Sequence, residues 1–251
     1  MKIVIPLAGK SLRFYKKNYQ KPKFLLHING KLVIEHVIDL FSDSDEFFLI
    51  ISKSQLRNIK KLSLILKKIK KKITIKVIND HNFGPVYSIL KADLRFKKLD
   101  FLVCYNDLLV EWNYKKFLLN INKRDGAIVS FKGFHPSSFT GTLYCYLKVK
   151  NNKIIRISEK KSFTKKPVNE YASAGIYYFG NYENFVFYAN KLIESDKSSI
   201  KNEWYVSQVY IPMIKNKKKI FNYEVEKFVS LGTPKDYELC KFWNDYFLKY
   251  E

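Results

Sequence analysis

The sequence predicts an α/β protein built on a mixed, mainly parallel sheet flanked by helices. Three observations carry this. Apolar runs of strand length alternate with helix-period segments through the first half. Two of those runs stop at Ala8-Gly9 and Asn106-Asp107, and sheets of this kind bind ligands at the carboxyl ends of their strands. The second half then adds three β-type segments before its own helices.

In chain order, Ile3 to Leu7 is an apolar run that meets the Ala8-Gly9 turn as a buried strand. Leu32 to Phe41 has helical periodicity, and Phe47 to Ile51 is a second apolar strand. Ser54 caps a long Lys-rich helix ending near Lys70. Ile73 to Ile78 alternates like a strand, Val86 to Ala92 is helical, and Phe101 to Tyr105 is a buried strand. Trp112 to Ile121 forms a helix and Ala127 to Phe131 a strand. The β-rich segments follow at Thr142 to Val149, Lys153 to Ser158 and Ala172 to Phe179. Helices follow at Tyr182 to Glu194, Tyr205 to Lys215 and Lys235 to Lys249. No internal repeat or Pro/Gly/Ser linker divides the chain, so one domain over 1–251 is expected.

Composition narrows the classes. At 251 residues, with 47% hydrophobic and 16% aromatic residues, the chain can bury a core and is no disordered tail. No stretch approaches the roughly 20 apolar residues that span a bilayer, and the N-terminus is broken too early for a signal peptide. No membrane insertion and a cytoplasmic location are the expectation. Three widely spaced cysteines (Cys104, Cys145, Cys240) without a CxxC argue against a disulfide framework or zinc site. They read as small buried hydrophobes.

The net charge of +23 suggests nucleic-acid binding at first sight. Yet 41 of the 46 basic residues are Lys, whereas Arg is the usual choice for bidentate base and phosphate recognition. Lys, Ile, Asn, Phe and Tyr, all abundant here, have codons rich in A and T. Genome bias is the simpler account of the charge, and no nucleic-acid partner is expected.

The chemistry concentrates after the first strand, in Leu7-Ala8-Gly9-Lys10-Ser11-Leu12-Arg13, followed by Pro22-Lys23. A strand-end Gly lets backbone N–H groups approach a phosphate or base, and Arg13 and Lys23 add positive charge to the same crevice. An ordinary βα turn with solvated cations is the plain alternative.

Leu-Ala-Gly-x-x-x-Arg with a following Pro-Lys resembles the signature of the sugar-phosphate nucleotidyltransferases, the NDP-sugar pyrophosphorylases. Six further landmarks occur in the family's order: Ile28-Asn29-Gly30-Lys31-Leu32-Val33-Ile34-Glu35, Gly84-Pro85-Val86-Tyr87-Ser88, Asn106-Asp107, Glu159-Lys160, Ser173-Ala174-Gly175-Ile176-Tyr177 and Leu231-Gly232-Thr233-Pro234-Lys235-Asp236-Tyr237. The resemblance covers nearly the whole chain. It implies a Rossmann-like, GT-A-like nucleotidyltransferase fold, with a nucleotide-binding core at about 1–132 and an acceptor-binding elaboration at about 133–251. The implied reaction joins an NTP to a sugar 1-phosphate, giving NDP-sugar and pyrophosphate for a surface polysaccharide such as capsule or lipopolysaccharide.

The resemblance also implies roles. Leu7, Ala8, Gly9, Lys10, Asn79, Gly84 and Asn106 would hold the nucleotide. Arg13 and Lys23 would act on its phosphates. Asp107 would be both a catalytic residue and the ligand of Mg²⁺, with Mn²⁺ able to substitute. Glu159, Lys160 and Gly175 would bind the phosphorylated acceptor. The nucleophile is already anionic, so positioning and charge neutralisation suffice without a strong base.

Departures leave alternatives open. Ser11 and Leu12 replace the usual small residues of the loop, Ser230 stands where relatives often carry a second metal-binding Asp, and Asn79 and Asn82 replace Gln and Pro in the base-reading segment. A cytidylyltransferase acting on a phosphorylated amino alcohol or amino acid is one rival, a glycosyltransferase another and a basic nucleic-acid-binding protein a third; a homo-oligomer is left open. His27, His36, His81 and His135 show no metal-ligand spacing. Trp112 anchors a helix start or lines the acceptor pocket, and Glu203-Trp204-Tyr205 faces either acceptor or core.

Overall fold

The computed structural model describes residues 1–56, 62–64, 66, 69–133, 144–195 and 203–249. Its strands are β1 (Lys2–Pro6), β2 (His27–Ile28), β3 (Lys31–Leu32), β4 (Glu46–Ser52), β5 (Lys72–Ile78), β6 (Phe101–Cys104), β7 (Leu108–Glu111), β8 (Gly126–Phe131), β9 (Cys145–Lys150), β10 (Lys153–Glu159), β11 (Tyr171–Phe179), β12 (Ile220–Glu224) and β13 (Lys227–Ser230). Nine of them form one sheet in the order β5-β4-β1-β6-β11-β8-β12-β10-β9. The β5-β4-β1-β6 half is parallel, β11 runs antiparallel to both β6 and β8, and β12 is parallel to β8. The sheet is therefore mixed, as expected.

The central strands are apolar on both faces, the pattern of a sheet covered on both sides. Ile3 and Ile5 of β1 enter one core cluster and Val4 the other; Leu102 and Cys104 of β6 part from Phe101 and Val103 in the same way. Helices Val33–Asp39, Gly84–Lys91, Tyr114–Ile121, Tyr182–Glu194, Val206–Lys215 and Pro234–Phe247 match the expected ones within a few residues at each end.

One expectation changes, and others fall partly outside the described residues. Ser54 is no helix cap: a 3-10 turn covers Lys53–Gln55, and the Ser54 hydroxyl instead donates to Asp80. Of the long Lys-rich helix expected beyond it, residues 57–61, 65, 67 and 68 lie outside the described residues, as do 142 and 143 of the expected Thr142 strand and His135. Trp112 is a core anchor, not an acceptor-pocket wall. Its indole N–H donates to Leu40 O at 3.0 Å, and its ring packs among Phe41, Tyr114 and Phe117. Asn113, at the next position, caps the helix by accepting from Lys116 N.

Two small pairings escaped the periodicity: the β2/β3 hairpin and the β7/β13 ladder. The second matters most. It carries the chain's late Ser230-Leu231-Gly232 segment back beside Asp107, where Leu231 N donates to Asp107 O at 2.7 Å.

Candidate active site

β1 and β6 are adjacent and parallel, so their carboxyl ends lie side by side. Asn106, just past β6, clasps the two ends by donating from Nδ2 to Pro6 O at 2.9 Å. Around this junction opens a cleft of about 610 Å³. Its walls include Leu7, Ala8, Gly9, Lys10, Arg13, Lys23, Gly84, Asn106, Asp107, Glu159, Lys160 and Gly175. Twelve of the thirteen residues singled out in the sequence thus meet in one place. Asn79 lies in an adjoining hollow that shares His81 and Asn82 with the cleft.

The glycine loop is held from outside itself. Gln55 is buried and donates from Nε2 to Gly9 O at 3.0 Å. Ser11 occupies the left-handed region at φ 51° and its carbonyl accepts from Phe14 N and Tyr15 N, starting the short helix Leu12–Tyr15. A non-glycine residue there is strained.

Lys23 reaches across the cleft and donates from Nζ to Asp107 Oδ2, a pair 84 residues apart in sequence. Around Asp107 the donor set is oxygen. The Asn106 Oδ1 is buried and has no partner among the described residues. The Ser230 hydroxyl donates to Asp236 Oδ2 at 3.4 Å and accepts from Gly232 N at 3.2 Å. A side-chain carbon on Gly232 would come within 3.2 Å of Asp107 Oδ2. Buried Asp236, which accepts from Ser230, also lines the cleft and caps the final helix through Thr233. No cluster of three His, Cys, Asp or Glu side chains that could hold a metal occurs among the described residues. Hard oxygen donors with few protein carboxylates nevertheless fit Mg²⁺, whose shell is commonly completed by phosphates and water.

The acceptor side comes from the second half. Lys160 has φ 56°, and its ammonium donates to the Tyr205 hydroxyl while lying 3.8 Å from the ring centroid. The Tyr205 hydroxyl donates in turn to Glu203. Glu159 accepts from the Ser207 hydroxyl; desolvation of its deep-set carboxyl raises its pKa, against the lowering effect of Ser207 and Lys160. Gly175 sits at φ 85° in the irregular part of β11, and an added Cβ would lie 2.8 Å from Leu108 Cδ2. Its smallness serves the Leu108 and Tyr105 packing that shapes the wall.

His81 sets the far wall. Its Nδ1 accepts from Phe83 N at 3.1 Å, so its Nε2–H donates to Ser88 Oγ at 3.0 Å. Burial lowers its pKa, opposed by the nearby Asp80 charge and assisted by Lys10. Beside it Gly84, at φ 82°, lies against the Trp204 backbone, where a Cβ would meet N and O at 2.8 Å.

Sequence reading missed Gln55 and Ser207, gave Asp236 no role beyond its place in the Leu231–Tyr237 landmark, and left Glu203 and Tyr205 undecided. Gln55, three residues after Ser52 in a turn, and Asp236, three residues after Thr233, carried local capping signals.

Comparison with known proteins agrees with this layout. The nucleotidyl transferase family matches residues 2–245. The chain is 25% identical over 247 residues to the bifunctional protein GlmU of Methanococcus maripaludis (strain C7 / ATCC BAA-1331), covering 98% of this chain and 51% of that protein. It thus spans about half the length of the curated relative it matches. A nucleoside-diphosphate-sugar pyrophosphorylase from Vibrio cholerae RC9 shares the fold at TM-score 0.77 and 19% identity, over 96% of this chain and 99% of that one. A UDP-glucose pyrophosphorylase complexed with UDP-glucose does so at TM-score 0.74 and 18% identity, over 99% and 98%. With the family matched over nearly the whole chain, this chain belongs to the nucleotidyl transferase family, enzymes that transfer nucleotidyl groups.

Proposed function

We propose that the enzyme joins an NTP to a sugar 1-phosphate, releasing pyrophosphate and an NDP-sugar for a surface polysaccharide such as capsule or lipopolysaccharide. The observation that carries this reading is the meeting of Lys23 and Asp107 beside the glycine loop, opposite the Lys160–Tyr205–Glu203 chain. One cleft then offers two cationic places, one for each phosphorylated substrate.

Residues 1–132 furnish the nucleotide side. Leu7, Ala8 and Gly9 hold the nucleoside, with Lys10, Gly84 and Asn106 around it and Asn79 at its edge. Arg13 and Lys23 neutralise the phosphates as the acceptor oxygen attacks the α-phosphorus in line. Mg²⁺ (or Mn²⁺), held by Asp107 with Asn106 Oδ1 and the Ser230–Asp236 pair nearby, would neutralise charge on the nucleotide phosphates when bound. Residues from 133 onward furnish the acceptor side, where Lys160 takes the phosphate, Glu159 a hydroxyl, and the Gly175 backbone leaves room for both. The reaction is one of the cytoplasm.

The test is a matrix of four NTPs against sugar 1-phosphates and non-sugar phosphomonoesters, reading pyrophosphate. Release with one NTP and a sugar 1-phosphate supports the reading. Release only with a phosphorylated amino alcohol or amino acid replaces it with the cytidylyltransferase reading, and transfer from a finished NDP-sugar replaces it with a glycosyltransferase.

A further inference from the structure

The final helix, Pro234–Phe247, serves the molecule with its first half only. Pro234, Asp236 and Tyr237 are buried, the Tyr237 hydroxyl donates to His27 O at 2.8 Å, and the Tyr19 hydroxyl donates to Glu238 Oε1 at 2.9 Å. From Lys241 to Lys249 every residue except Asn244 is exposed. There Phe242, Trp243, Tyr246, Phe247 and Leu248 stand 43–60% exposed. The rings stack in i,i+4 pairs, Phe242 on Tyr246 at 6.2 Å and Trp243 on Phe247 at 5.8 Å, giving a continuous aromatic stripe. Single exposed apolar residues are ordinary; a contiguous stripe marks a contact surface.

Charge decides what it contacts. Residues 10–23 carry Lys10, Arg13, Lys16, Lys17, Lys21 and Lys23 with no Asp or Glu, and Lys16, Lys17 and Lys21 are exposed. Tyr19, within that run, bonds Glu238, which lies one turn before Phe242 on the same helix face. The stripe itself carries Lys241, Lys249 and one exposed carboxylate, Asp245, and is adjoined by the exposed Lys16, Lys17 and Lys21, so the local balance is basic. A second copy would bring the same lysine surplus to the same place, with only Asp245 and Glu238 to offset it. A negative surface is attracted, and Trp, Tyr and Phe beside Lys are the residues that settle at the headgroup level of a bilayer.

We propose that this helix end docks the enzyme reversibly on an anionic phospholipid surface, with the aromatic stripe seated among the headgroups and Lys16, Lys17 and Lys21 supplying the attraction. No helix among the described residues is long and apolar enough to cross a membrane, so the attachment is peripheral.

The test is co-sedimentation of the full chain with vesicles of phosphatidylcholine alone and with about 30% phosphatidylglycerol. Binding is expected only to the anionic vesicles. It should weaken at least about tenfold when salt is raised from about 0.05 to 0.5 M, and by a similar factor in the triple variant Phe242→Ser/Trp243→Ser/Phe247→Ser. Circular dichroism and thermal unfolding of that variant confirm that it folds. If it does not fold, a blue shift of Trp243 emission on vesicle addition, absent in Trp243→Phe, gives the same answer. No binding, binding unchanged in the folded triple variant, or a dimer in light scattering that the same variant abolishes would each overturn the proposal.

Discussion

Lys23 Nζ donates to Asp107 Oδ2, so a cation and a carboxylate on the wall of the cleft, which the proposed function assigns to the nucleotide and its metal, neutralise one another. The pair joins the turn after the glycine loop to the end of β6. Under the proposed function, a metal at Asp107 would free Lys23 for the nucleotide.

This gives Asp107→Asn two opposite effects. Without the carboxylate, the metal-free enzyme loses a negative charge beside the nucleotide phosphates and frees Lys23. In EDTA, calorimetry should show NTP binding tightened by roughly 5–10-fold, while turnover with Mg²⁺ falls by about 10²-fold or more. Weaker metal-free binding would contradict the proposed pairing.

Ser11 tests the strained loop. Its φ of 51° suits Gly and excludes a β-branched side chain. Ser11→Gly should keep NTP affinity and thermal stability near the parent values. Ser11→Val should lose about 1–2 kcal/mol of stability, or raise the KM for NTP about tenfold. Equal behaviour of the two variants in thermal shift and kinetics would remove the strain argument.

His81 gives a pH dependence of definite sign. Its folded pKa lies below the ordinary 6.5, chiefly through burial, so the neutral ring is the folded form. Its contribution is complete above the unfolded value and is lost as pH falls through 6.5 toward the folded value. Protonating Nδ1 also sets a donor against the Phe83 N–H that it now accepts. Thermal melts between about pH 7.5 and 5 should show a shallower acid loss in His81→Gln, which keeps an acceptor without the titration.

Glu159 is the reverse case. Burial raises its pKa, so the ionised form opposes folding. That cost appears as pH rises above the ordinary carboxylate value and through the raised one. Glu159→Gln should therefore raise the melting temperature at pH 7 more than at pH 5, and raise the KM for the acceptor while leaving that for NTP unchanged. A variant with unaltered acceptor KM would remove Glu159 from the acceptor site.

These predictions draw unequally on the sequence. The strand ends at Leu7-Ala8-Gly9 and Asn106-Asp107 were legible because apolar runs stop there, and parallel pairing of β1 with β6 then brings them together. Ser230 was legible as a gap but not its consequence. The carboxylate behind it, Asp236, belongs to a helix cap, and only the short β7/β13 ladder brings that cap to Asp107. Gln55 on Gly9 and Ser207 on Glu159 join residues far apart in the chain, which no local period reports. Ser54 was misread because a Ser before a Lys-rich run looks like a cap; its hydroxyl instead serves Asp80.

The most direct test of the central claim measures pyrophosphate release by the parent enzyme, Lys23→Ala and Asp107→Asn, with the NTP and sugar 1-phosphate that the substrate matrix selects. The parent should release pyrophosphate only when both substrates and Mg²⁺ are present. Each variant, folded by circular dichroism, should fall by about 10²-fold or more. Parent-level release in both variants would contradict the assignment of this cleft.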